Sequence, residues 1–185
     1  MTWSIDELQR TWQLVSRLHD GQKYGGSQDG EKIEYINHIG SVTFEVLKAV
    51  EQTPGMEAGL AMKCALLHDS IEDTPFSYEK VLELFGAEVA NGVMALTKND
   101  SLDGKGAKMM DSLARIKQQP KEVWAVKLAD RICNLYAPPY YWNNRKKLDY
   151  IAEAKLILEE LKEGNAYLAK RLEEKIEAYR EFITA

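Results

Sequence analysis

The chain has 185 residues, 45% of them apolar and 29% charged, which suits one folded domain with a sizeable core. Its formal net charge of −5 argues against binding along a nucleic-acid backbone, which needs a basic surface. A small anionic substrate, held in one cleft by a metal and a few lysines, stays open. No apolar run reaches the length of a membrane span, and the start, Met1 to Glu7, lacks the basic opening and apolar stretch of a secretory leader. The chain therefore reads as cytoplasmic, with neither nucleic acid nor membrane as a partner and its oligomeric state open.

Helix signals dominate the elements. Ser4-Ile5-Asp6-Glu7 has the form of a capping box and opens a first helix reaching about His19. Residues 20–37 are rich in Gly and polar groups and read as a loop. A second helix runs from about His38 to Glu51 and is stopped by Thr53-Pro54-Gly55. A third spans about Met56 to Asp73, since Pro75 disfavours helix at Thr74. Ser77 caps a short helix from Tyr78 to Phe85, Gly86 closes it, and another helix covers Ala87 to Thr97. Asn99 to Ala107, with Gly104 and Gly106, reads as a loop. A helix follows to Gln119, and Pro120 suits the first position of the next, which runs to Tyr136 before Pro138-Pro139. Two long helices, Arg145 to Lys162 and Asn165 to Ile183, finish the chain on either side of Gly164. No alternating apolar run is closed by an Asn-Gly or Asp-Gly turn. The expected fold class is all-α: a single domain over 1–185.

Two helices depart from the amphipathic norm. From Ala58 to Ile71 nearly every residue is apolar, as in a central, buried helix. Yet this stretch carries His68-Asp69 and runs into Glu72-Asp73. The helix from Val123 is similar and reaches Asp130-Arg131; Val126, Asp130 and Asn134 are spaced by four and share a face. An unpaired buried carboxylate is costly, and a bound cation removes the problem. His38, His68, Asp69 and Asp130 form a mixed nitrogen–oxygen set suited to Mn²⁺, Fe²⁺ or Zn²⁺ and too rich in nitrogen for Ca²⁺. Singly these signals are weak: a His-Asp pair is usually surface or capping, and Asp130-Arg131 reads equally as an ion pair. The combination is stronger, because the chain has only three histidines and two lie where helices begin or end near the cleft. Cys64 and Cys133 make no CxxC pair and read as small buried hydrophobes.

His38, then His68-Asp69 thirty residues on, then Asp130 some sixty later, resembles the H…HD…D signature of the HD superfamily of metal-dependent phosphohydrolases. Longer blocks narrow the resemblance. Tyr35 to His38, Ala65 to Thr74, Phe85 to Val89, Leu96 to Lys98 and Val126 to Leu135 resemble the hydrolase domain of the RelA/SpoT alarmone enzymes, in its stand-alone small form, across roughly residues 5–180. The resemblance implies an HD-domain helical fold of about eight to ten helices and one Mn²⁺ per chain. It implies a small nucleotide substrate, (p)ppGpp, cleaved at its 3′-pyrophosphate to leave GDP or GTP. Alarmone synthesis is not implied, since no room remains after residue 185 for a synthetase domain.

In that chemistry a metal acidifies a water and polarises a phosphoryl oxygen. Glu72, four residues after His68, is the first choice to orient or deprotonate the water. Asp73, four after Asp69, assists it or caps the turn at Thr74-Pro75. The resemblance gives Asn134 a contact with ribose or phosphate; as a bare residue it equally caps or bridges helices. It also sets the loop with Lys23 and Tyr24 beside the guanine end, and Lys108, Lys146 and Tyr150 near phosphate- or base-binding positions. The sequence departs from the pattern there. Tyr24 stands where an arginine is usual, able to stack but not to supply a guanidinium. Extra residues precede Tyr35, and Ile39 replaces a proline. These changes touch base selectivity, not the metal site. Two alternatives remain: an HD phosphatase for another nucleotide, such as NADPH or a nucleoside monophosphate, and a non-catalytic nucleotide sensor, which would be expected to lose part of the intact set.

Overall fold

In the computed structural model, residues 4–183 are described; Met1 to Trp3, part of the start read as leaderless, lie outside them. Ser4 begins the first helix, α1 (Ile5–Leu18), its hydroxyl accepting from the Glu7 amide. Glu7 turns back in the same way, its carboxylate accepting from the Ser4 backbone amide to complete the box. That carboxylate also pairs at 2.6 Å with Lys63, the one charged residue of α3 (Ala58–Leu67) and only 5% exposed. An unpaired ammonium there would be costly to bury, so this pair lets α3 occupy the centre of the molecule.

Around α3 stand α1, α2 (Ile36–Gln52), α6 (Ala87–Leu96) and α8 (Lys121–Asn134). Leu60, Ala61, Cys64, Ala65 and Leu67 are all buried, as a helix apolar on every side requires. Each large aliphatic side chain so buried contributes about 1.5–3 kcal/mol. Gly92 sets the approach of α6: a Cβ there would lie 2.9 Å from both Cys64 Sγ and Val123 Cγ2. Asn143 caps α9 (Asn144–Leu161) and Asn165 caps α10 (Ala166–Ala178), which pack on each other and on α8. The one-turn α4 (Ser70–Asp73), α5 (Tyr78–Phe85) and α7 (Lys105–Ile116) complete ten α-helices among the described residues. Both cysteines are free; Cys64 is fully buried, which pushes its thiol up to about 12. None of these helices is long and apolar enough to cross a membrane.

The all-α expectation holds apart from one detail. The stretch read as a loop contains a small antiparallel hairpin, β1 (Lys23–Gly25) paired with β2 (Lys32–Glu34), with Tyr24 opposite Ile33. Strands of three residues are too short to leave an alternating pattern in sequence. Boundaries shift elsewhere. Helix α2 starts at Ile36 and α7 at Lys105, and Pro120, with ψ of 151°, precedes α8 instead of opening it. The helix expected from Met56 to Asp73 is broken. It ends at Leu67, and Asp69, at φ −102° and ψ 0°, makes a turn before α4. That conformation is sparsely populated and recurs at active sites.

Candidate active site

The break after Leu67 aims two side chains at one point. His68 keeps its Nδ1 on the Ala65 carbonyl, 2.8 Å away. That carbonyl only accepts, so Nδ1 carries the hydrogen and Nε2 is turned outward, the usual arrangement of a metal-ligating imidazole. His68 Nε2 lies 3.3 Å from His38 Nε2, which α2 presents from its first turn. Asp130, on α8, brings Oδ1 to 3.4 Å from His38 Nε2. Asp69 Oδ2 lies 2.9 Å from His68 Nε2 and 3.7 Å from His38 Nε2. Ligand atoms of His38, His68 and Asp130 all fall within 4.8 Å of one another. Two separate helices, α2 and α8, and the turn after α3 thus converge on a donor set that fits a divalent cation.

Neighbours hold both carboxylates in place. Tyr35 donates its hydroxyl to Asp69 Oδ2 at 2.6 Å. Burial and the Asp69 charge push that phenol well above its ordinary range, so it stays a donor. Lys127 donates to Asp130 Oδ2 at 3.0 Å and Asn134 to Asp130 Oδ1 at 2.6 Å. Burial works against ionisation of Asp130, yet the charges of Lys127 and the histidines hold it well below the usual carboxylate range. For Asp69 the same opposition is won chiefly by His68. In return, burial disfavours a charged His68, but the Asp69 carboxylate outweighs it and pushes the imidazole up to about 9.

This has a measurable consequence. Because the folded pKa lies above the unfolded value of about 6.5, the His68–Asp69 ion pair stabilises the metal-free protein fully below that pH. The contribution fades as pH rises through about 9. At pH 7 a cation must therefore displace a proton from His68. Calorimetric Mn²⁺ titrations in buffers of different ionisation enthalpy should show about one proton released per chain at pH 7 and almost none at pH 10. Equal proton release at both values would contradict the ion pair.

The cluster opens into a cavity of about 1110 Å³. Most residues read from the sequence line it: Glu72, Asp73, Tyr24, Lys108, Asn134, Lys146 and Tyr150 all do. Lys23 does not. It pairs with Glu34 at 2.6 Å across the hairpin, and neither residue reaches the cavity that Tyr24 and Ile33 line. Glu72 accepts from the Lys98 amide at 2.9 Å and pairs with the Lys98 ammonium. It reaches the cavity from α4, not from one continuous helix with His68. Lys108 pairs with Asp100 at 2.7 Å. Lys146 sits beside Lys105, whose hydrogen bond and charge push its ammonium below its ordinary value. Asn134 also spends its amide on the Asp130 carbonyl, at 3.0 Å, a contact within the last turn of α8 that joins no second helix.

Sequence reasoning passes over Tyr35, Lys98 and Lys127 as site residues, although all three lie inside the blocks that carry the resemblance. The alternative reading of Asp130-Arg131 as an ion pair does not hold, since Lys127 takes that place. The Arg131 guanidinium lies 4.1 Å from the Tyr150 ring centroid and 3.4 Å from Glu153.

His38, His68, Asp69 and Asp130 thus line one open cavity of a helical domain, as a candidate metal site. No protein-family model matches the chain, but individual proteins do. It is 31% identical over 153 residues to the guanosine-3′,5′-bis(diphosphate) 3′-pyrophosphohydrolase MESH1 of Drosophila melanogaster, covering 80% of this chain and 82% of that one. The human MESH1 is 28% identical, covering 86% and 87%. A solved structure, described as a metazoan ortholog of SpoT that hydrolyses ppGpp, superposes with a TM-score of 0.79 at 26% identity, covering 96% and 98%. The chain belongs to the MESH1 family.

Proposed function

We propose that this chain, as one HD-type domain, removes the 3′-pyrophosphate of (p)ppGpp to leave GDP or GTP. The observation that carries the reading is the His38–His68–Asp130 cluster, with Asp69 beside it, at the floor of a large cavity. The names of its relatives supply the substrate. A divalent cation held by His38, His68, Asp69 and Asp130, with Mn²⁺ the first choice, would polarise a phosphoryl oxygen and acidify a water.

The chain's own groups supply the rest. Tyr35 fixes Asp69, and Lys127 with Asn134 fixes Asp130, so the donor set is oriented before any ligand arrives. Glu72 accepts the proton of the attacking water. Asp73 lines the same wall, its carboxyl raised by burial and by the charges of Asp69 and Glu72, and is the second acceptor for that proton. Lys105, Lys108 and Lys146 offer ammonium groups to the phosphates on an otherwise acidic protein. Tyr150, backed by Arg131, presents an aromatic face, and Asn134 borders the ribose.

Tyr24, standing where relatives are expected to carry arginine, favours testing other nucleotides beside ppGpp. With Mn²⁺ present, ppGpp should yield GDP and pyrophosphate, while NADPH and nucleoside monophosphates yield no phosphate. Phosphate release from the latter, with ppGpp left intact, would overturn the reading.

A further inference from the structure

One end of the cavity is built by the residues between Gly25 and Ile33, which the hydrolytic chemistry leaves without a task. They form the turn of the hairpin, and they hold one carboxylate firmly. The Gly26 amide donates to the Glu31 carbonyl at 3.1 Å and closes the turn. The Gln28 amide donates to Glu31 Oε2, also at 3.1 Å. Gly26 makes this possible: a Cβ there would lie only 2.0 Å from Glu31 Oε2, so any other residue would expel the carboxylate from its seat. The turn is braced from behind, because the Tyr140 amide donates to the Gly26 carbonyl at 3.2 Å. The Tyr141 ring packs on Gly25, where a Cβ would meet its Cε1 at 3.0 Å.

Glu31, Tyr24 and Tyr141 all line this end of the cavity. Among the described residues no lysine, arginine or histidine pairs with Glu31, although lysines are plentiful elsewhere along the wall. A seated carboxylate without a cation repels phosphate and accepts hydrogen bonds. Tyr24 and Tyr141, which line the same cavity, are aromatic rings of the kind on which a flat heterocycle stacks. Tyr24 in turn lies edge-on to Tyr35, at 6.2 Å between centroids, and Tyr35 holds Asp69. Two aromatic rings, Tyr24 and Tyr35, thus link this end of the cavity to the cation site.

We infer that Glu31 is the base-reading residue of this chain, accepting hydrogen bonds from the N1–H and 2-amino group of a guanine held at Tyr24 and Tyr141. Adenine presents a bare N1 lone pair to the same carboxylate and carries no 2-amino group, so it meets repulsion where guanine finds two acceptors. A site built to pair donors on its ligand rejects analogues that lack them. The inference rests on the (p)ppGpp reading for its ligand and goes beyond it in naming what selects the base.

The test compares ppGpp with its adenine counterpart, using wild type, Glu31→Gln and Glu31→Ala, each with Mn²⁺ content measured. The wild type should prefer guanine by about ten- to a hundredfold in kcat/KM. Glu31→Gln should cut that preference to about threefold or less through a higher KM for ppGpp, with kcat and metal content unchanged. Glu31→Ala should do the same. A wild type indifferent to the base, or a Glu31→Gln that keeps the full preference, overturns the inference. GDP and ADP titrated into the metal-loaded protein give a readout free of turnover. If the wild type cleaves neither bisdiphosphate, the hydrolase reading fails on its own, and the titration still decides Glu31: tighter GDP binding that Glu31→Gln abolishes supports it, and equal affinities sink it.

Discussion

Asp130→Ala is expected to abolish stoichiometric Mn²⁺ binding and to lower kcat/KM by at least ~10³. Asp130 is the only cluster member contributed by α8, and two side chains, Lys127 and Asn134, are committed to orienting it. Removing it leaves His38 facing a gap and takes away the carboxylate at 3.4 Å. Charge stabilisation by a cation at a phosphoryl group is worth several kcal/mol, and about 1.4 kcal/mol corresponds to each factor of ten. Elemental analysis checks the metal, and thermal unfolding checks the linkage. Saturating Mn²⁺ at a hundred times Kd should stabilise the wild type by about 2.7 kcal/mol and leave the variant unchanged. A variant that still binds one ion per chain would remove Asp130 from the donor set.

Glu72→Gln is expected to keep the metal and the fold and to lose turnover by ~10²–10⁴, the range of a general base. The substitution is nearly isosteric, and its amide oxygen can still accept from the Lys98 amide that Glu72 engages at 2.9 Å. A merely structural Glu72 would instead show a lower Tm with kcat preserved, because its one firm tie is to Lys98 in the connection after α6. Measuring Tm, Mn²⁺ content and kcat on the same preparation separates the two. Asp73 lines the cavity beside it, so Asp73→Asn in the Glu72→Gln background should cost further activity only if both carboxylates share the proton.

Much of the molecule was legible along the chain, because helices are local. Caps at Ser4 and Ser77 and stops at Gly86 and Gly164 act within a few residues of where they stand. The nearly unbroken apolar character from Ala58 to Ile71 pointed to a central helix, and α3 is that helix as far as Leu67. His38, His68, Asp69 and Asp130 were legible for a related reason. Polar and titratable groups ending otherwise apolar helices need a partner, and their spacing fits one known pattern. The contacts that make these groups a site were not legible. Tyr35 to Asp69 spans 34 residues and Lys98 to Glu72 spans 26. No periodicity records such a pairing. Asp130 prefers Lys127, three residues back on α8, to the adjacent Arg131, which consecutive side chains on a helix would predict, since they point in different directions.

The amino-acid order by itself determined the helical class, the central place of α3 and the four metal-ligand candidates, since each follows from propensity, capping or the cost of burying charge. Only the tertiary structure decided that the chain bends at Asp69, that Lys23 turns to Glu34 and away from the cavity, and that a hairpin of three-residue strands brings Glu31 to the cavity wall. Those outcomes depend on what elements distant in sequence press against one another. The hairpin stands because it leans on Tyr140 and Tyr141, more than a hundred residues beyond it, and no local pattern carries that information.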